Sequence, residues 1–96
     1  NPCLAIAAQL AAGIAGIEGK LELEDEFKGD AYQASKAREI PNSLAAATQS
    51  LKESNMLRDA MGTDVIDHYV RAAEWEQEDF ASKVTEYEVN RGFERA

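Results

Sequence analysis

Residues 1–17, NPCLAIAAQLAAGIAGI, decide the fold, because none of them is charged and the first charge along the chain is Glu18. Asn1 is a favoured N-cap residue and Pro2 suits the first helical position, so we predict a helix over residues 2–18. The large apolar side chains of this helix, which point most of the way round it, are Leu4, Ile6, Leu10, Ile14 and Ile17. Most of the residues between them are small. Such a helix packs on all sides, so we expect the buried central helix of a protein core.

A membrane span is the alternative interpretation of this apolar run. From Pro2 to Ile17 a helix is about 24 Å long at 1.5 Å per residue, whereas the hydrocarbon of a bilayer is about 30 Å thick. Many of the residues are alanine or glycine, and Gln9 is polar. These features favour burial inside a protein over a membrane span.

The composition limits both the fold and the partners. A chain of 96 residues forms at most one domain and buries only about 60 to 68% of its unfolded surface, so it is a poor host for a fully buried helix. It begins with a helix cap and not with methionine, and we therefore expect it to be part of a longer protein. The formal charge of −8 repels phosphate backbones and anionic lipids, so neither nucleic acid nor a membrane surface is an expected partner.

The single cysteine, Cys3, cannot form a disulfide within the chain. It lies in the apolar helix, and we interpret it as a reduced core residue of a cytoplasmic protein. A reactive thiol is the alternative, and it is disfavoured because no His, Lys or Arg is close in sequence to lower the pKa.

The rest of the chain alternates turn signals with helical patterns. After a loop over residues 19–42, we predict helices at about 44–54, 55–61, 64–84 and 86–91. Asn42 or Ser43 caps the first of these and Thr63 the third, whereas Gly62 and Gly92 are stop signals. Residues 85–88, TEYE, form a capping box. The buried face of the long helix is predicted to comprise Ile66, Tyr69, Val70, Ala73, Phe80 and Val84.

Charges along the long helix predict ion pairs at i,i+4. These are Asp67 with Arg71 and Asp79 with Lys83, while Glu74 and Glu78 form a like-charge pair. The favourable and unfavourable pairs roughly cancel, so we expect packing to hold this helix.

No pattern in the chain carries catalytic chemistry. It contains no nucleophile with a base, no metal-ligand cluster, no phosphate-binding glycine loop and no basic groove, so we expect it to be inactive alone. His68 is interpreted as a surface residue, and the acidic run at residues 22–26 as a solvated face, since it lacks the spacing of a calcium loop. Trp75 is expected to be a packing or interface anchor, and Tyr87 and Phe93 to anchor this end against another subunit.

The runs NPCLAIAA (residues 1–8), LAAG (10–13) and GI (16–17) resemble the N-P-Y-L-A-x-A-A-x-L-x-A-G-x-x-G-I helix of the glutamine synthetase superfamily, with Cys3 at the usual tyrosine. Further runs resemble segments of glutamine synthetases and their γ-glutamyl-polyamine ligase relatives: IPNSL (40–44), LRDAMG (57–62), AEWE (73–76) and VTEYE (84–88). Their order and spacing span essentially the whole chain.

This resemblance implies an all-α segment that forms the C-terminal helical part of an α+β catalytic domain. The parent protein would then be an ATP-dependent ligase using Mg²⁺ or Mn²⁺, which phosphorylates the γ-carboxylate of glutamate and lets ammonia or an amine attack. The family's metal-binding glutamates and phosphate-binding arginines precede the Asn-Pro helix, so no catalytic, cofactor-binding or metal-binding residue is expected within residues 1–96. The segment would support the rest of its catalytic domain and contribute contacts to a homo-oligomer of stacked rings in the cytoplasm.

The resemblance also draws attention to Tyr32. Residues 29–32, GDAY, resemble a loop segment in which one bacterial branch of the family carries an adenylylated tyrosine. There the pattern continues Asp-Leu-Pro-Pro, whereas this chain continues QASK over residues 33–36. The difference favours an anchoring aromatic over a modification site.

Two alternatives stay open at the level of the sequence. The chain could instead be a stand-alone acidic helical module for protein interaction. If it belongs to a ligase, the choice between ammonia and an amine such as putrescine depends on a pocket outside these residues.

Overall fold

The computed structural model describes residues 1–33 and 38–95, and within them it contains helices and no strand. The all-α prediction for this segment is therefore confirmed. The described part of the predicted loop contains one 3₁₀ turn, Ala31–Gln33. The α-helices are α1 Pro2–Glu18, α2 Leu44–Glu53, α3 Asn55–Met61, α4 Thr63–Ala81 and α5 Glu86–Arg95.

The first three helices begin at side-chain caps. Asn1 Oδ1 accepts a hydrogen bond from the backbone N–H of Leu4 at 3.2 Å, with Pro2 in the first turn. Ser43 Oγ, one of the two predicted caps, accepts a hydrogen bond from the backbone N–H of Ala46 at 3.1 Å. Ser54 Oγ accepts one from the backbone N–H of Leu57, in α3, at 3.2 Å. These bonds satisfy backbone donors that have no partner inside the helix, which explains why the starts of α1 and α2 could be predicted from their caps, whereas the cap at Ser54 was not predicted.

Helix α4 differs from the prediction at both ends. The N-cap position is Gly62, with φ 93° and no side-chain cap, and the helix already includes Thr63, so the predicted cap at Thr63 is wrong. A glycine with positive φ lets α3 and α4 follow each other almost directly. The helix ends at Ala81, three residues before the predicted end at Val84, and the Oγ of the C-cap residue Ser82 donates to the carbonyl of Asp79 at 2.6 Å.

Helix α5 continues through Gly92 to Arg95, so the predicted stop at Gly92 is wrong. A glycine inside a helix costs only about 1 kcal/mol, which a well-capped start offsets. Thr85 and Glu88 form the predicted capping box: the backbone N–H of Thr85 donates to Glu88 Oε2 at 2.8 Å, and the N–H of Glu88 donates to Thr85 Oγ1 at 3.3 Å.

The described core lies where α2 packs against α4. Ile66 and Val70 are buried, with 2% and 5% of their surfaces exposed, and Ala73 is half-buried, as predicted. The prediction was wrong for Tyr69, Phe80 and Val84, which are exposed. Val84 lies after the end of α4, Phe80 is the last residue but one of that helix, and Tyr69 is the least exposed of the three at 37%.

A buried threonine joins α2 to α4 in this core. Thr48 is 6% exposed, and its Oγ1 donates to the carbonyl of Leu44 at 2.7 Å while accepting from Gln77 Nε2 at 3.1 Å. The same Nε2 also donates to the carbonyl of Ala73 at 3.0 Å. Every polar atom of the threonine side chain is thus hydrogen-bonded, and the two helices are fixed in one register.

Arg58 of α3 links three helices through one guanidinium. Its Nε and Nη2 donate to the carbonyl of Lys52 at 3.2 and 3.0 Å, and its Nη1 lies 2.8 Å from Asp67 Oδ1. The side chain is only 19% exposed. The arginine therefore satisfies a carbonyl at the end of α2 and holds α4 with the same planar group.

The ion pairs of α4 are partly different from the prediction. Asp67 pairs with Arg58 and not with Arg71, so that predicted pair is wrong, because the guanidinium of α3 lies closer. Arg71 instead contacts Glu78 at 3.1 Å and Glu74 at 3.9 Å, and the hydrogen bond and charge of Glu78 raise the pKa of Arg71. The repulsion expected between the two glutamates is thereby offset.

Two further ion pairs involve this helix. Lys52 of α2 lies 3.2 Å from Glu74, which adds a second cation to that carboxylate. Lys83 lies 3.4 Å from Asp79, as predicted.

Helix α1 forms as predicted but is not buried among the described residues. It packs mainly against α3, and no residue in it is fully buried. The expectation of a buried central helix is therefore wrong for these residues taken alone. The physical reason is length: α3 is about 10 Å long and cannot cover a helix of about 25 Å.

We predict that Thr48→Val weakens the contact between α2 and α4. The substitution keeps the shape of the side chain but removes both hydrogen bonds of the hydroxyl, which costs about 1 kcal/mol. In the protein that carries this chain, amide hydrogen exchange in α2 should accelerate about fivefold. Ser50→Ala, at an exposed site on the same helix, is the control, and equal exchange in the two variants would contradict the role of Thr48.

We predict that Arg58→Lys loosens the junction of α2, α3 and α4. A lysine keeps the charge but cannot contact the Lys52 carbonyl and Asp67 together, at a cost of about 2 kcal/mol. Hydrogen exchange at the α2–α3 junction should accelerate by more than tenfold. Asp67→Asn, which removes only an exposed charge, should cost about 1 kcal/mol or less, and a larger effect of Asp67→Asn would show that the ion pair dominates.

We predict that Glu88 stabilises α5 only in its charged form. The backbone N–H of Thr85, and then its hydroxyl, donate to this carboxylate and lower the pKa of Glu88 below the ordinary 4.5. The contribution is present above that value and is lost as the pH falls through the lowered pKa. A carbon-detected NMR titration of the Glu88 carboxyl measures it, with Thr85→Ala expected to raise the pKa part of the way. A wild-type pKa of 4.5 or higher would rule out the capping box in solution.

Candidate functional site

Tyr32 is the one residue that the sequence singled out as a candidate site, and it lies in the 3₁₀ turn of the long loop. Its backbone N–H donates to Asp30 Oδ1 at 3.0 Å, and Gln33 donates to the carbonyl of the same aspartate at 3.1 Å. This Asx turn directs the tyrosine ring into solvent, where it is fully exposed. Of the QASK run that follows the motif, residues 34–36 lie outside the described residues. Both roles considered for Tyr32 stay predictions.

The other residues considered from the sequence are scattered over the surface. His68 is exposed, and its ring meets the ring of Tyr69 edge-on at 5.4 Å. Trp75 is about half exposed on the outer face of α4. In the acidic loop Glu26 pairs with Lys28 at 3.0 Å, with both side chains in water. Over residues 1–33 and 38–95, no three His, Cys, Asp or Glu side chains are grouped so that they could hold a metal ion.

The most prominent surface is an apolar stripe along α1, which we call the α1 stripe. Its members follow each other at intervals of three or four residues, so they lie on one face of the helix: Cys3, Ile6, Leu10, Ile14 and Ile17. All five are exposed, and Ile17 exposes 80% of its surface. Four of the five half-buried residues of α1, by contrast, are mostly small and lie on the side toward α3: Leu4, Ala8, Ala11 and Ala15. The α1 stripe therefore lies on the side of the helix that α3 does not cover.

Cys3 belongs to this stripe, and its position corrects one expectation. Among the described residues it is exposed and not part of a core. The helix around it is as apolar as predicted, but no described element packs over this side. Its thiol is therefore accessible in this chain.

A groove runs beside the stripe, between α1 and α3. It has a volume of about 870 Å³, and apolar residues of both helices line it, among them Leu10, Ile14 and Met56. Glu18 and Asp59 are the acidic residues at its margin. The groove and the α1 stripe share residues, so they form one continuous apolar surface. Isolated exposed apolar residues are common, but a continuous surface of this kind marks a contact site.

A second set of exposed apolar residues begins in the last turn of α4 and continues into α5. Its members are Phe80, Val84, Tyr87, Val89 and Phe93. Val89 and Phe93 lie four residues apart on one face of α5, and the hydroxyl of Tyr87 accepts a hydrogen bond from Arg91 at 3.1 Å. Tyr87 and Phe93, the predicted subunit anchors, are thus both available for contact.

None of the helices in the described residues has the length and apolarity that crossing a lipid bilayer requires. This finding agrees with the length argument against a membrane span made from residues 2–17.

Comparison with known proteins identifies relatives over nearly the whole chain. A gamma-glutamylethanolamide synthetase of Streptomyces coelicolor is 40% identical over 95 residues, which cover 99% of this chain and 20% of that protein. A type-1 glutamine synthetase of Dictyostelium discoideum is 34% identical over a match that covers 98% of this chain and 19% of that protein. A glutamate–isopropylamine ligase of a Pseudomonas species is 38% identical over a match that covers 95% of this chain and 20% of that protein. The chain thus spans about a fifth of the length of the curated relatives it matches.

The family-level comparison agrees with these relatives. The model of the glutamine synthetase catalytic domain matches residues 1–92, which include all the runs on which the resemblance was based. The chain belongs to the glutamine synthetase catalytic-domain family.

Proposed function

We propose that this chain is a C-terminal part of the catalytic domain of an ATP-dependent glutamate–amine ligase. The match of residues 1–92 to the catalytic domain carries the proposal. The relatives compared above are named as glutamine synthetases or as ligases that join glutamate to ethanolamine or isopropylamine. The common reaction class is amide formation at the γ-carboxylate of glutamate, with ammonia or an amine as the acceptor.

Within this enzyme we assign the chain a structural and not a catalytic role. The family resemblance implies ATP and a divalent metal ion for the parent protein, but the described residues do not fit such a site. Their carboxylates are dispersed or paired with lysine and arginine, as Glu74 and Asp67 are, and none forms a metal-holding group. We therefore derive no catalytic step here, and we assign the metal, the nucleotide and the acceptor pocket to other parts of the protein.

The chain exposes a large surface for its mass, and this supports the structural role. The chain exposes 8735 Å², whereas a compact protein of 10.5 kDa exposes about 5400 Å². Part of the excess comes from residues 19–33 and 38–43, all of which are exposed, and part from α1, where four large aliphatic side chains of the stripe are exposed. We propose that the rest of the catalytic domain covers this side of the helix.

The same surface disfavours the alternative of a stand-alone interaction module. Such a module would expose the whole α1 stripe to water until it met a partner, and Ile66 and Val70 are the only buried apolar residues in the described part of the chain. A core of two residues gives little free energy to hold five helices together. If the rest of a catalytic domain covers α1, the stripe is not exposed to water and the buried core is larger.

We further propose that the far end of the chain contributes contacts to a homo-oligomer in the cytoplasm. Trp75, Tyr87 and Phe93 are exposed aromatic residues, a type that is enriched at protein interfaces. The family resemblance implies stacked rings as the assembly. Tyr32 is assigned as an anchoring aromatic, with modification of its hydroxyl as the alternative.

We expect the protein that carries this chain to release phosphate from ATP only when glutamate and an acceptor are both present. Phosphate release with Mg²⁺ and glutamate is measured with ammonia, ethanolamine, isopropylamine and putrescine in turn, and the amide product is identified by mass spectrometry. The isolated residues 1–96 should give no turnover. Turnover by these residues alone would refute the structural role, and a full-length protein with no amide product under any condition would refute the ligase assignment.

We predict that a charge placed in the α1 stripe prevents the full-length enzyme from assembling in soluble, active form. Leu10→Glu inserts a carboxylate at the centre of the stripe, and burying an unpaired charge costs several kcal/mol, so we expect loss of soluble assembly and of activity. Gln9→Glu, which adds the same charge at the neighbouring polar position, is the control and should keep most of both. If Leu10→Glu also leaves assembly and activity unchanged, the stripe faces water in the whole protein.

A further inference from the structure

We draw no further inference here: the strongest candidate, the apolar cavity of about 250 Å³ between the first turn of α1 and the helices α2, α3 and α4, is lined by Leu4, Leu51, Leu57, Met61, Ile66 and Tyr69, and nothing in the structure shows what fills it.

Discussion

The constraint on which this segment depends is the covering of a helix that is apolar on nearly all sides. Water disfavours each exposed aliphatic side chain of α1 by about 1.5 to 3 kcal/mol relative to full burial. Helix α3 covers only the side that carries Leu4 and small residues, and the side with the α1 stripe stays exposed. The first sixteen residues of α1 carry no charge, and our proposal is that the rest of the catalytic domain supplies a second covering layer for this helix.

The rest of the segment positions α1 through polar contacts more than through a large core. Thr48 and Gln77 set the register of α2 against α4, and Arg58 links the end of α2 to α4 from the helix that contacts α1. Polar contacts of this kind have strict geometry, so they fix orientation even where little apolar surface is buried. The result is a short helical scaffold that presents one face of α1.

Much of the fold follows from local sequence signals. Caps at Asn1 and Ser43 and the box at Thr85 act within one turn, so the sequence alone reveals them. The ends at Ala81 and Arg95 were not predictable, because a C-cap at Ser82 and a glycine tolerated inside α5 depend on small energy differences. The contact of Arg58 with Asp67 was missed for a different reason. Helical spacing predicts ion pairs within one helix, but it does not predict a pair between α4 and a side chain of the preceding helix, α3. The family was indicated by the order of its motifs, since the described residues hold no group of side chains that could bind a metal ion.

The accessibility of the Cys3 thiol tests the central claim most directly. Cys3 is the one cysteine of the 96 residues, lies in the α1 stripe and is exposed in the chain by itself. The native full-length protein is treated with a thiol reagent, and its peptides are mapped by mass spectrometry before and after denaturation. If the rest of the catalytic domain covers the stripe, Cys3 stays unmodified in the native protein and reacts after denaturation. Equal modification of Cys3 in the native and denatured protein would contradict the account.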